Sequence, residues 1–253
     1  MKELSMTTSL ADHPVVSRQH WLAERRKLLA REKELTLLGD QIARERRALP
    51  WVRLEKNYLF DTLEGRRSLA ALFDGRRQLL MQHFMLGPGW GEGCKSCSYM
   101  ADHTDPTIVH LAQRDVAFIA VSSAPLLEIE RFRKRMGWQF GWVSSYGTDF
   151  NRDFGVSFTP DEMASGKADY NFGGAPAGEE MPGVSTFYKN AAGDVFHTYS
   201  TYGRGVEVMM HTYQLLDLMP KGRDEDDLDF TMAWVRHHDR YEPARAGVEN
   251  AKR

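Results

Sequence analysis

A Cys-x-x-Cys pair, Cys94-Lys95-Ser96-Cys97, contains the only two cysteines of the 253-residue chain. It stands between a run that reads as a buried strand and a run that reads as a helix. Chance would give two cysteines this spacing roughly once in a hundred such chains, so the pair is taken as chemistry rather than coincidence. Two cysteines are too few for a stapled secreted scaffold. In a reducing compartment a lone pair of this spacing points to thiol exchange or to metal binding.

The rest of the composition is that of an ordinary globular chain. A hydrophobic content of 42% furnishes a core, and the formal charge of -2 gives no general pull toward nucleic acid or an anionic membrane. Met1 to Pro14 lacks the apolar run of a secretory signal, and no stretch approaches a membrane span. A cytoplasmic location is therefore expected, with a protein or small-molecule disulfide as partner and neither nucleic acid nor membrane.

Ser17 is placed to cap a helix that runs to about Leu49, where Pro50 stops it. Trp21, Leu28, Leu35, Ile42 and Leu49 recur every seventh residue, one narrow apolar stripe on a helix otherwise covered in charge. The stripe either crosses its own domain or meets a second copy, so a homodimer through this helix is one expectation. Residues 1–50 are read as a helical extension, 57–220 as the main domain, and 221–253 as an acidic loop followed by a helix from Thr231 to Tyr241.

Within the main domain, Gln78 to Leu86 is almost continuously apolar, the mark of a strand buried on both faces. The loop Gly87-Pro88-Gly89-Trp90-Gly91 then delivers Cys94 to the start of a helix through about His103. A second helical piece ends at Arg114. Val116 to Val121 is the next strand, Pro125 to Met136 the next helix, and Phe140 to Ser144 another strand, an alternation that implies parallel pairs. Thr148 to Gly178 has no readable period. Gly183 to Lys189 and Asp194 to Ser200 form a hairpin, followed by a helix carrying Val206, Met209, Met210, Tyr213 and Leu216.

Strand, loop, Cys-x-x-Cys at a helix start, crossover strand, hairpin and closing helix is the order of the thioredoxin fold. The expected class is α/β, thioredoxin-like, with a long N-terminal helix and a C-terminal helical extension. The runs Phe73-Asp74-Gly75, His83-Phe84-Met85, Gly93 to Ser98, Arg135-Met136-Gly137-Trp138, Trp142-Val143-Ser144-Ser145, Asp149-Phe150-Asn151 and Trp234-Val235-Arg236 carry a further likeness. On them the chain resembles the thioredoxin-like family called domain of unknown function family 899, over nearly its whole length. The resemblance implies a dithiol-disulfide oxidoreductase with no settled substrate and no cofactor.

Placement at a helix start exposes Cys94 to free backbone amides and the positive end of the helix dipole, and Lys95 adds a nearby charge. Such surroundings lower a cysteine pKa from about 8.5 into the range of roughly 3.5 to 7.5. Cys94 is thus the expected nucleophile and Cys97, one turn further in, the resolving thiol. Glu92 and Asp102 are candidate proton carriers. In thioredoxins a Gly-Ile-Pro-Thr type turn sets a proline beside the cysteines. Here the corresponding run is Gly183-Val184-Ser185-Thr186, which puts Ser185 beside the sulfurs with a hydroxyl to donate.

The rival reading is a binding module, either a protein-docking domain or one that holds a metal on Cys94, Cys97 and His103 or His83, although a closed zinc site wants a fourth ligand. A peroxiredoxin signature is absent, since Gly87 and Gly91 stand where proline and threonine would precede Cys94. Asp149-x-Asn151-x-Asp153 opens like a calcium loop but continues with Phe154 and Pro160 where glycine and glutamate belong. His237 and His238, adjacent on the expected final helix, point two ways and read as surface or capping residues. No serine sits in a Gly-x-Ser-x-Gly turn. Phe150, Phe154, Tyr170 and Phe172 are read as core packing.

Overall fold

The computed structural model describes residues 13–242, which fall into two compact units. One is built on the chain through Pro50 together with Leu215–Asp224, the other on Trp51–Gln214 and the chain from Glu225 onward. Helix α1, Arg18–Ala48, belongs to the first and starts where expected: the Ser17 hydroxyl accepts the His20 N–H at 3.2 Å. No residue of α1 is buried, and the seven-residue stripe is open, with Leu35 70% exposed. No helix among the described residues is long and apolar enough to cross a membrane.

The second unit carries an eight-stranded sheet. In chain order its strands are β1 (Val52–Arg53), β2 (Leu59–Thr62), β3 (Gly65–Ser68), β4 (Gln78–His83), β5 (Val116–Ser122), β6 (Gly141–Ser144), β7 (Gly183–Lys189) and β8 (Val195–Tyr202). Across the sheet they lie β1-β8-β7-β4-β5-β6-β2-β3. The apolar run β4 is central, as its two-faced burial requires. It pairs parallel with β5, Leu80 opposite Phe118, and antiparallel with β7, Met81 opposite Ser185.

Parallel neighbours need crossovers. Helices α2 (Lys95–Thr104) and α3 (Ile108–Ala112) join β4 to β5, and α4 (Leu126–Met136) joins β5 to β6. Helix α4 ends at Gly137, whose φ of 72° suits glycine. Alternation along β4 feeds two cores. Leu79 and Met81 pack with Phe60, Phe73, Phe150 and Phe187. Leu80 leads to the other core, of Phe84, Cys97, Ala101, Ile129, Phe132, Trp138 and Trp142. This is the expected thioredoxin-like fold, with Cys97 itself part of the second core.

Three stretches differ from the sequence reading. The helix expected around Val206 to Leu216 is a 3-10 turn, Gly203–Met209, followed by α7, His211–Leu216. The helix expected from Thr231 to Tyr241 does not form. The chain makes successive turns, with Met232 at φ 67°, and ends in a 3-10 turn at His238–Arg240. The cause is Glu225, whose carboxylate accepts the Met232 N–H at 2.9 Å, the Trp234 indole at 2.6 Å and the Tyr213 hydroxyl at 2.6 Å. The unreadable stretch Thr148 to Gly178 contains α5 (Phe150–Asp153) and α6 (Pro160–Ala164), the latter opened by a Thr159–Glu162 capping box.

Candidate dithiol site

The chain leaves β4 at His83 and turns back on itself before α2, and two hydrogen bonds of Met85 fix that turn. The Cys94 N–H donates to the Met85 carbonyl at 2.9 Å, and the Met85 N–H reaches Cys97 Sγ at 3.5 Å. Cys94 then occupies the N-cap of α2 in an extended conformation, φ -57° and ψ 134°. A helix start leaves N–H groups without intrahelical partners, and here a sulfur stands among them. Both cysteines are free thiols, Cys94 half-buried and Cys97 fully buried.

The two thiols differ in acidity because their surroundings differ. The Cys97 thiol donates to Cys94 and the backbone amides of Cys97 and Ser96 face it, which together pull the Cys94 pKa down from 9.0 to about 6 against the cost of burial. Cys97 moves the opposite way, well above 9.0, because it is the donor to Cys94 and lies in an apolar core. Lys95 is exposed and is not among the groups that lower Cys94; the Cys97 thiol first, and the backbone after it, do what the lysine was expected to help with.

Ser185 is buried on β7, but its hydroxyl is engaged elsewhere. It lies 2.7 Å from His83 Nε2 and 2.7 Å from the Ser200 hydroxyl, and Ser200 lies 2.7 Å from His197 Nε2. The expected donation from Ser185 to a sulfur is therefore replaced by a four-membered relay behind the strand. The reason is register: Ser185 sits opposite Met81, two residues before His83 and well back from the turn that carries the thiols.

Glu92 is turned toward Arg135 and Arg240, whose charges hold its carboxyl below the usual range although burial opposes them. Asp102 accepts the Trp138 indole at 2.8 Å and faces His238 Nδ1 at 2.6 Å. Both candidate proton carriers are thus engaged with other partners. The histidines of the metal reading are engaged too: His103 bonds the Tyr99 carbonyl and the Thr212 hydroxyl, and His83 bonds Ser185. Among the described residues no group of three His, Cys, Asp or Glu side chains gathers as a metal site. Asp149 and Asp153, the opening of the rejected calcium loop, hold the Lys56 ammonium at 2.8 and 2.7 Å.

Three polar residues engaged inside the fold escape a sequence reading. His237, taken for a surface residue, is 1% exposed and its Nε2 lies 2.9 Å from the Gly93 carbonyl. Tyr170 is buried, and burial pushes its phenol up although the Gly203 N–H that it accepts works the other way. Its hydroxyl donates to the Pro182 carbonyl at 2.7 Å. Glu180 accepts from the Ser123 and Ser157 hydroxyls, both at 2.8 Å, and burial raises its carboxyl pKa. Only the aromatic character of Tyr170 marked it beforehand. Of the four aromatics read as packing, Phe150, Phe154 and Tyr170 are buried, whereas Phe172 is 77% exposed.

Residues 10–241 match the model of the family described as "Bacterial protein of unknown function (DUF899)". A comparison with curated proteins finds no match. Among solved structures the chain is similar to the peroxidoxin BcpB from Mycobacterium tuberculosis, at 14% identity over 63% of this chain and 93% of that one, with a TM-score of 0.39. It is similar to a peroxiredoxin Q mutant from Xanthomonas campestris at 11% identity, over 62% and 90% of the two chains, TM-score 0.39. It is also similar to the yeast mitochondrial 1-Cys peroxiredoxin at 15% identity, over 67% and 78%, TM-score 0.38. Likenesses of this size reach no individual residue of the site.

Proposed function

We propose that this chain, which belongs to the DUF899 family of bacterial proteins, is a dithiol-disulfide oxidoreductase with Cys94 as nucleophile and Cys97 as resolving thiol. The observation that carries the reading is the asymmetry of the pair: an acidic, half-buried sulfur at a helix start and a buried, weakly acidic one a turn behind it. In the first step the Cys94 thiolate attacks one sulfur of a substrate disulfide. The substrate S–S bond breaks, a mixed disulfide forms, and the first substrate thiolate departs. In the second step Cys97 gives up its proton to a departing thiolate and attacks Cys94 Sγ, releasing the other half of the substrate. The chain ends with a Cys94–Cys97 disulfide, oxidised by two electrons, and the substrate ends as two thiols. An external dithiol restores the reduced pair. The substrate is a protein or small-molecule disulfide, in a compartment reducing enough to keep the pair as thiols.

Glutathione disulfide tests the order of events. Cys97→Ser should accumulate a stable glutathionyl adduct on Cys94, read by peptide mass. The unsubstituted chain should pass through that adduct to its internal disulfide, and Cys94→Ser should react about tenfold more slowly, since thiolate fraction outweighs the lower intrinsic nucleophilicity of an acidic thiol. Adducts forming at equal rates on both single-cysteine variants would overturn the assignment.

A further inference from the structure

The peptide unit that leads into Cys94 is held on both sides, and one hold comes from a residue 144 positions along the chain. On one side the Cys94 N–H donates to the Met85 carbonyl at 2.9 Å. On the other, His237 Nε2 lies 2.9 Å from the Gly93 carbonyl. The tautomer follows from the far side of the ring, where Arg135 Nη2 stands 3.3 Å from Nδ1. A guanidinium donates and never accepts, so Nδ1 is the acceptor and the ring proton sits on Nε2, directed at Gly93.

Every part of this hold is itself fixed. Arg135 is clamped by Glu92 at 2.9 Å and by Asp239 at 2.8 and 2.9 Å. The imidazole lies edge-on to Phe132, ring centres 5.2 Å apart. A Cβ at position 93 would come within 2.6 Å of Phe84 and 2.7 Å of Phe132, so only glycine fits where the chain passes between the imidazole and the thiols.

We propose that His237 is a positioning residue for Cys94: its Nε2–H bond to the Gly93 carbonyl fixes the Gly93–Cys94 peptide plane, and so fixes the direction from which Sγ meets the amides of Ser96 and Cys97. The role rests on the reading of Cys94 as nucleophile. Without the bond the plane is held by Met85 alone, Sγ swings away from those amides, and the thiolate loses the donors that stabilise it. The imidazole touches neither sulfur nor substrate; it acts through the backbone.

The test is the pH profile of iodoacetamide alkylation at Cys94, read by peptide mass on the full, reduced chain, for His237→Gln, His237→Asn and His237→Ala. Glutamine carries an N–H about where Nε2 lies, whereas asparagine is a carbon too short. His237→Gln should keep the profile of the unsubstituted chain. His237→Asn and His237→Ala should lose about fivefold in rate at pH 6, the loss expected when the midpoint rises by about one unit. Should the alanine variant fail to fold, the Asn and Gln pair decides. An unshifted profile in His237→Asn overturns the proposal, and so does an equal loss in His237→Gln, which would make the effect one of packing. A midpoint near 9 in the unsubstituted chain would instead remove the nucleophile reading itself, a failure distinct from that of His237.

Discussion

His83 and Cys94 stand at the two ends of one short stretch, and both lose their protons more readily than in water, by opposite physical routes. His83 is completely enclosed, stacked against the neighbouring rings of Phe150 and Phe154, with its Nδ1 lacking any hydrogen-bond partner and its Nε2 facing a serine. Nothing there stabilises a cation, so burial, aided by His197, drives its pKa from 6.5 to about 3. At Cys94 burial opposes the shift, and donors aimed at the sulfur overcome it. The lesson is that enclosure alone favours whichever form is neutral. An ion is favoured in a dry place only where dipoles already point at it.

The two routes act in separate pH windows, which offers the sharpest way to break the comparison. The unfolded chain protonates His83 below about pH 6.5, while the folded chain resists until about 3. Stability must therefore fall as pH falls through that interval, by about 1.4 kcal/mol per unit and about 5 kcal/mol in all. His83→Gln keeps a donor for Ser185 and never charges, so urea unfolding of this variant should lack that part of the decline. Parallel stability curves from pH 7 to pH 4 would show that the imidazole is not held neutral.

The thiol window lies higher. Between pH 6 and 9 the folded, reduced chain releases the Cys94 proton while the unfolded chain keeps it, so the stability of the reduced form should rise with pH up to about 9 and fall beyond it, where the unfolded chain releases the Cys97 proton that the folded chain keeps. The disulfide form has no such proton and should show no such rise. The difference between the two forms should be about 2 kcal/mol, half of what the full shift implies, because the sulfur is partly open to solvent. Identical slopes in the two forms would remove the donors from the argument.

The smallest expected effect separates the relay from the thiols. Ser185→Ala breaks the link between His83 and Ser200 and should cost about 1 to 2 kcal/mol of stability, since it leaves a buried imidazole nitrogen unpaired. The titration of Cys94 should not move. A shift in that titration would restore Ser185 to the thiol site and blur the boundary between the two regions.

The sheet and the place of Cys94 were readable because each rests on local signals: apolar runs long enough only for buried strands, and a Gly-Pro-Gly loop set directly before a helix. What escaped depends on contacts distant in sequence. The likeness of Gly183-Val184-Ser185-Thr186 to the proline turn of thioredoxins places Ser185 beside the thiols, and only the register opposite Met81 moves it away. His237 was misread because its segment has helical composition, and only Glu225, collecting the amide of Met232 and the indole of Trp234, bends that segment into turns. Tyr170 lies in a stretch with no period, held by single bridges such as Tyr170 to Gly174. No rule of spacing registers such contacts.

The order of the sheet also bears on how the molecule behaves in a crowd. Its outermost strands are β1, two residues long, and β3, Gly65–Ser68, which carries Arg66 and Arg67. An open sheet edge can template the pairing of a foreign strand, and such recruitment is the usual first step toward fibrous aggregates. Here one edge is too short to hold a ladder, and the other is four residues long and carries the ion pairs Arg66–Asp61 and Arg67–Glu64, charged side chains that a flat foreign strand would have to lie against. The long apolar strands β4 and β5 lie inside, each covered on both flanks. The sequences most prone to stacking are therefore exposed only when the whole sheet opens, so concentrated, folded protein should stay clear of fibres even though its centre is rich in fibre-forming strands.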